Sequence, residues 1–567
     1  MKKTHISAFI FFVCFLQFVD AQKKLNPYRY EVNKSFICKN GAVVSAHALA
    51  SEVGVNILKE GGNGVDAAIA TQLALAVVYP DAGNIGGGGF IMIHLKSGEN
   101  ISIDFRETAP AAASRDMYLD SNGNAQMNLS QDGHLSAGVP GSVAGIFAAM
   151  KYAKLPFKKL IQPAIDLAEN GFAISEGQAQ SFNETKNEFI KYNTTVPIFV
   201  KNILWKTGDT LIQKDLANTL KRIKDNGAKG FYEGQTAKLI VEEMKKGHGI
   251  ITEDDLKSYQ AKVRQPMVFN YRGNTVVTMP LPSSGGIILE QVLKMSSYKN
   301  LSNMKFETPE SVHLMAEAER RSFADRAKYL GDPDFVKVPV ATLISDAYLK
   351  KRMSDYEPGK AGNSTDIKEG IINNEKEETT HFDVLDKEGN AVSVTTTLNG
   401  GYGSRTVVAG AGFLLNNEMD DFSVKPGVAN MYGAIGAEAN AIAPGKRMLS
   451  SMTPTIVLKN NKPFIVLGTP GGTTIPTSVY QTIVDIIDFK MTPQDAVNKP
   501  KFHQQWLPDV IDVEKGFDKT VIEALKKMGY TISEREAIGR TEVIMVKPDG
   551  SLIAVGDQRG DDAAAGY

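Results

Sequence analysis

Thr379 stands where a polar segment, residues 368–378 (KEGIINNEKEE), gives way to a strand-like run that begins Thr380-His381. A threonine at the new end of a cut chain can act as a nucleophile, because the freed α-amine, with a pKa near ~8, can take the proton of its hydroxyl. Threonine also suits a strand for its β-branched shape, so the position alone leaves both readings open. Downstream, Glu418 and Asp421 in Asn416-Asn417-Glu418-Met419-Asp420-Asp421-Phe422 are spaced to converge in a turn, where two carboxylates can hold an ammonium group. The alternative is a solvated acidic loop. Arg106 follows a strand-like run and can present its guanidinium to a carboxylate, or pair on the surface with Glu107 or Asp104. Ser450-Ser451 can donate to a carboxylate, although serines before a strand also form turns. In Thr469-Pro470-Gly471-Gly472, two glycine N–H groups can point at one developing oxyanion with a helix N-terminus behind them, or form an ordinary tight turn.

The elements that must position these residues read as follows. Residues up to about 80 are expected to be helical, with 46–60 ended by Gly61-Gly62-Asn63-Gly64, and 65–78 apolar on nearly every face and hence buried. Two strand-like runs, 90–95 and 101–105, follow Gly86-Gly87-Gly88-Gly89, and the second ends at Arg106. From about 140 to 344 the chain reads mainly as amphipathic helix, including 310–329. After the polar segment the pattern turns to β, with 380–386, a turn at Lys387-Glu388-Gly389-Asn390, and 391–398. Pairing Asp386 with Ala391 places Thr397 opposite Thr380 and beside Thr379; a register one residue different sets Thr397 directly opposite Thr379. Residues 425–440, rich in Gly, Ala, Pro and Asn and containing Tyr432, read as a mobile surface loop whose functional version is a lid. A strand at 464–467 leads into the glycine turn, and a helix with Pro476 near its first turn follows.

With 567 residues the chain exceeds one ordinary core, so two lobes or one large multilayer domain are expected. A formal net charge of −1, from 63 basic and 64 acidic residues without a long basic tract, gives no support to nucleic-acid or anionic-membrane binding. A small molecule is the expected partner. Residues 1–21 resemble a signal peptide cut before Gln22, since the apolar stretch 6–19 falls short of the ~20 residues that span a bilayer. An uncleaved anchor is the alternative. Cys14 lies in that leader, so the mature chain keeps Cys38 alone, forms no internal disulfide, and packs Cys38 as a small hydrophobe. The histidines are scattered without HExxH, and the glycine run fits neither GxGxxG nor GxxxxGK[ST]; neither a metal nor another cofactor is indicated.

Several motifs, in order, then carry a resemblance: AGNIGGGGF (82–90), DFRETAP (104–110), AGVPGS (137–142), TTHFDV (379–384), NNEMDDF (416–422), KRMLSSMTPTI (446–456), GTPGG (468–472) and the terminal AGY. Over nearly the whole mature chain the sequence resembles the γ-glutamyltranspeptidases, members of the N-terminal-nucleophile hydrolases. The resemblance implies an α+β fold, a four-layer αββα sandwich with a helical periphery. It implies autocleavage between Glu378 and Thr379 into a large subunit, 22–378, and a small one, 379–567, that stay together as a heterodimer. It implies transfer of the γ-glutamyl group of glutathione and related compounds to water or an acceptor amino acid, through an ester on Thr379. By matched position, Thr397 helps activate Thr379, Gly471 and Gly472 form the oxyanion hole, and Arg106, Ser450 and Ser451 bind the α-carboxylate. Asn399, Glu418 and Asp421 hold the α-amine. Glu418 stands where some bacterial members have Gln, and the Tyr432 segment resembles members with a lid. The short leader and single mature cysteine suggest an exported protein, most simply periplasmic with secretion as the alternative, and with no membrane span after the leader is removed.

Two rivals remain open at the level of sequence. A β-lactam side-chain acylase of the same architecture would share Thr379 and the glycine turn but use another donor pocket. A non-catalytic amino-acid-binding protein would use Arg and acidic contacts without any cut before Thr379.

Overall fold

The computed structural model describes residues 25–366 and 379–567. The leader 1–21, Cys14 and the Glu378 side of the expected cleavage site lie outside the described residues. Two seven-stranded sheets form the centre. The first runs, edge to edge, Ala563–Gly566, Gly41–Ser45, Thr380–Asp386, Ala391–Thr397, Gly88–His94, Asn100–Asp104 and Lys262–Arg264. The second runs Ser35–Cys38, Leu552–Val555, Glu542–Val546, Lys462–Gly468, Thr455–Lys459, Asn274–Thr278 and Met267–Tyr271. Both sheets therefore combine strands from before and after Thr379.

Helices cover the outer faces. Ala48–Lys59 and Gly64–Val78 pack on the first sheet, while Gly285–Tyr298 and Ile475–Ile487 pack on the second, giving four layers in the order αββα. Gly64–Val78 is buried along its whole length, as its unbroken apolar pattern predicts, and a reciprocal Asn63/Asp66 capping box starts it. Between the sheets lie Ala42, Val44, Phe90, Met92, Val277, Ile456, Val466 and Ile544. Each such side chain removed from water contributes on the order of 1.5–3 kcal/mol, with the small alanine worth less.

The Thr380–Asp386 strand shows how this packing aims the site. Phe382 and Val384 face the helical layer, whereas the alternate residues point between the sheets, where the His381 ring hydrogen-bonds Thr395 at 2.8 Å. A side chain at Gly468 would strike that ring, so His381 lies against the strand that enters the glycine turn. The same alternation turns Thr379 toward that turn.

The hairpin register differs from the first expectation. Thr380 pairs with Thr396 and Leu385 with Ala391, which sets Thr397 directly across from Thr379, the alternative register considered above. The cause is the turn. Asp386 N–H donates to the Asn390 carbonyl at 3.1 Å, leaving a three-residue loop in which Gly389 takes φ +89°. Asp386 Oδ1 accepts the N–H groups of Glu388 and Asn390 and fixes that loop. Two helical expectations also give way to strands. Residues 35–45 form an edge strand and an inner strand, and 262–278 contribute three more. These runs are short, and Gly41–Ser45 is buried on both faces, so their period-two signal is weak beside the long helices around them.

Candidate active site

Thr379, Thr397, Asn399, Arg106, Glu418, Asp421, Ser450, Ser451, Tyr432 and Gly472 line one pocket between the ends of the two sheets. Gly471 lines the adjoining recess together with Thr379, so the nucleophile candidate stands between the two spaces. The candidate catalytic and substrate-binding residues on the described part of the chain are thus brought together.

At the Thr379 end, the Thr397 hydroxyl accepts the Asn399 N–H at 2.8 Å, which leaves its proton to donate elsewhere. The Thr397 carbonyl is held by Asn84 Nδ2 at 2.9 Å, so the end of the strand cannot drift. Asn399 turns the chain at φ +79°. The glycine turn follows the strand Lys462–Gly468, with Gly471 at φ +131° and Gly472 at φ +50°, conformations that side chains strongly disfavour. A Cβ on Gly472 would also lie 2.7 Å from the Tyr432 ring. The turn passes through Gly472–Thr474 into the helix Ile475–Ile487, whose N-terminal end adds positive potential beside the glycine amides.

The other end is ionic. Arg106 is 1% exposed, and its Nη1 lies 2.6 Å from Glu418 Oε2 and 3.9 Å from Glu107, while its Nη2 pairs with Asp421. The expectation of a surface pair does not hold: Asp104 accepts the Arg106 backbone N–H at 2.9 Å and spends its side chain on Arg264 and Arg447. Glu418 and Asp421 converge because Glu418–Asp421 is a short 3-10 helix. Burial pushes both carboxyls above the ordinary range, with Arg106 pulling back. The Arg106 charge is opposed by burial but held by Glu418, Asp421 and Glu107. Neither oxygen of the buried Glu418 carboxylate receives a well-aligned hydrogen bond. A buried carboxylate short of donors suits an ammonium ligand.

Residues 425–440 are a surface loop only in part, with Pro426, Gly427 and Glu438 exposed. Met431, Tyr432 and Ile435 are buried, and the Tyr432 hydroxyl donates to the Asn399 carbonyl at 2.5 Å. Asn430 Nδ2 donates to Asp421 at 2.8 Å and the Met431 N–H to Asp420 at 2.8 Å, so the segment is pinned to the acidic turn and covers the pocket. The lid version of the expectation describes it.

Asp420, on the far side of the same turn, is raised to about 7 by burial despite hydrogen bonds from Ser130 and Met431. A carboxyl displaced upward favours folding fully below its ordinary pKa near ~4, and that stability is lost as pH rises through about 7. Urea unfolding of Asp420→Asn is therefore expected to lose part of the wild-type decline between about pH 4 and about pH 7, at most ~4 kcal/mol in all. Equal slopes for the two proteins would contradict this.

Three contributors escaped the sequence reading: Glu107, Asn430 and Arg326. Glu107 was considered only as a surface partner, although its place beside Arg106 is a local signal. Asn430 had no signal beyond the lid composition. Arg326 sits in Pro309–Tyr329, a helix of alternating charge in which any arginine looks solvated. Among the described residues, no group of three or more His, Cys, Asp or Glu is arranged to hold a metal ion.

A family model described as gamma-glutamyltranspeptidase matches residues 50–567. The chain is 44% identical over 580 aligned residues to the glutathione hydrolase proenzyme of Escherichia coli (strain K12), covering 100% of this chain and 99% of that relative. Among solved structures it is similar to a cephalosporin acylase from Bacillus halodurans, with TM-score 0.81 and 26% identity over 96% of this chain and 98% of the other. It is also similar to the γ-glutamyltranspeptidase of Helicobacter pylori, with TM-score 0.56 and 50% identity, covering 57% of this chain and 94% of that one.

Proposed function

The chain belongs to the γ-glutamyltranspeptidase family, and from that premise we propose which of its residues perform the autoprocessing and the γ-glutamyl transfer or hydrolysis. The observation that carries the proposal is one pocket in which a threonine hydroxyl, a second threonine, a glycine turn and a paired acid–base set meet.

In the precursor, Thr379 Oγ attacks the Glu378 carbonyl. The peptide C–N bond breaks as its nitrogen takes a proton, leaving an ester, and water hydrolyses that ester to a Glu378 carboxylate and a free Thr379 amine. Maturation and catalysis then share one hydroxyl. The new subunits are 22–378 and 379–567. The sharing of both sheets by strands of the two segments supports a heterodimer that persists after the cut.

In turnover, the Thr379 amine acts as base while the Thr397 hydroxyl donates toward Thr379 Oγ, which attacks the γ-carbonyl. The Gly471 and Gly472 N–H groups stabilise the oxyanion, aided by the helix end behind them. For glutathione, Cys-Gly leaves as the amine, and water or an acceptor amino acid then takes the γ-glutamyl group from the ester. Arg106, Ser450 and Ser451 bind the α-carboxylate, and Asn399, Glu418 and Asp421 hold the α-amine. Both charges sit at the end of the glutamyl group remote from the reacting carbonyl, so gripping them fixes that carbonyl over Thr379. Tyr432 closes the pocket against water.

Among the described residues no helix is long and apolar enough to cross a membrane. Export to the periplasm rests on the leader-like residues 1–21.

The acylase reading is separated by substrate. A γ-glutamyl anilide carries the α-amine and its glutaryl counterpart does not, so the first is expected to be hydrolysed with a kcat/KM at least ~100-fold higher. Equal rates, or a preference for the glutaryl compound, would place the protein with the acylases.

A further inference from the structure

We infer that Arg326 is a second carboxylate-binding residue of the donor pocket, supplying attraction for the substrate α-carboxylate that Arg106 cannot supply alone. The inference rests on the donor-pocket reading above and adds a residue to it. Arg106 is already committed on all sides. Its Nη1 meets Glu418 at 2.6 Å, its Nη2 meets Asp421, and its Nε donates to the Met448 carbonyl at 3.3 Å. A carboxylate approaching that guanidinium must share it with two acids.

Arg326 differs. It is 7% exposed, lines the same pocket, and among the described residues has no carboxylate within ion-pairing distance. Its Nε donates to Ser284 Oγ at 3.1 Å and its Nη2 to Ser451 Oγ at 3.3 Å, while Nη1 makes no hydrogen bond among the described residues. A guanidinium taken from water without a directly paired carboxylate is unfavourable, and burial lowers its pKa to about 10, with Asp421 pulling back and the Arg106 charge adding to the loss. An anionic ligand restores the balance. The serines are arranged for the same ligand: Ser284 Oγ spends its proton on the Ser450 carbonyl at 2.7 Å and so accepts from Arg326, which holds the planar fork in place. Ser451 Oγ, already accepting from Nη2, has its own proton to donate. A carboxylate beside Ser451 therefore meets hydroxyl and guanidinium donors together. Arg326 thus joins Arg106 and the serines on the carboxylate, with Glu418 and Asp421 for the ammonium.

The test compares a γ-glutamyl anilide with the same compound carrying an α-carboxamide, in the wild type and in Arg326→Met and Arg326→Lys. For the carboxylate substrate, Arg326→Met is expected to raise KM by about 10- to 100-fold with kcat changed by less than about 3-fold. For the carboxamide, KM is expected to stay within about 3-fold, so the discrimination narrows by the same factor. Arg326→Lys, which keeps the charge but not the fork, is expected to lie between, with discrimination reduced by about 5-fold. If Arg326→Met does not accumulate as folded, processed protein, the lysine variant decides. Parallel losses on both substrates, or wild-type discrimination in the folded variants, would overturn the role of Arg326 and leave the donor pocket standing. A wild type indifferent to the α-carboxylate would overturn the donor-pocket reading itself.

Discussion

Thr379→Ala is expected to yield one uncut polypeptide with no measurable γ-glutamyl turnover. Both reactions require the same oxygen: the acyl shift from Glu378 and the attack on the γ-carbonyl each place an acyl group on Thr379 Oγ. Removing a nucleophile typically costs 10⁴-fold or more in kcat, and here the uncut chain also lacks the amine that serves as base. The fold should survive, because the change removes a hydroxyl and a methyl from a strand end whose neighbours, Thr380–Asp386, remain paired on both sides. Thr379→Ser keeps the oxygen and is expected to be cut and active at a reduced rate. Gel electrophoresis and an anilide assay read both variants. Two fragments from Thr379→Ala, split at the same bond, would remove Thr379 from the mechanism.

Arg106→Met is the second large effect, and it acts on stability and binding together. The arginine is the closest counterion of Glu418 and Asp421, with Glu107 at 3.9 Å. Substituting a neutral side chain of similar length leaves three buried carboxyls facing one another. Breaking a buried ion pair from one side usually costs about 3–5 kcal/mol, and some of that is relieved here as the carboxyls take up protons. Urea unfolding at neutral pH is expected to show a loss of that size that shrinks on acidification, since protonated carboxyls no longer need the cation. The sign follows from carboxyls raised above their ordinary pKa, which favour folding most at low pH. In the surviving folded fraction, donor KM is expected to rise at least ~100-fold because the turn that presents Glu418 and Asp421 loses its anchor. A stable variant with unchanged KM would show that the ion cluster neither holds the turn nor orients the substrate.

Much of the site was legible because its residues declare their chemistry locally. Thr379 at a polar-to-strand junction, two glycines after a strand, adjacent serines and a spaced acid pair each narrow the options, and their motifs in order narrow them further. The buried helix Gly64–Val78 was legible for the same reason, since apolar residues on every face admit only a core position. What failed depended on the geometry of one turn or on long-range partners. The register of the central hairpin turned on a single φ > 0 glycine, Gly389, and on Asp386 accepting the N–H groups across the loop, which periodicity does not encode. The hairpin Met267–Tyr271 and Asn274–Thr278 joins the second sheet only because Thr455–Lys459, far along the chain, pairs with its Asn274–Thr278 strand. Arg326 looked like one more charge on an exposed helix face, whereas the helix is buried almost throughout. The lid composition suggested mobility, yet Asp420, Asp421 and Asn399 fasten it from below.

The central claim is that the Glu378–Thr379 bond is broken before the enzyme works and that Thr379 becomes a chain terminus. N-terminal sequencing of the purified wild-type protein, with the intact masses of its components, tests this most directly. The expected result is a fragment beginning Thr-Thr-His with the mass of residues 379–567. An active preparation whose components lack that terminus, or one intact chain that turns over γ-glutamyl substrate, would contradict it.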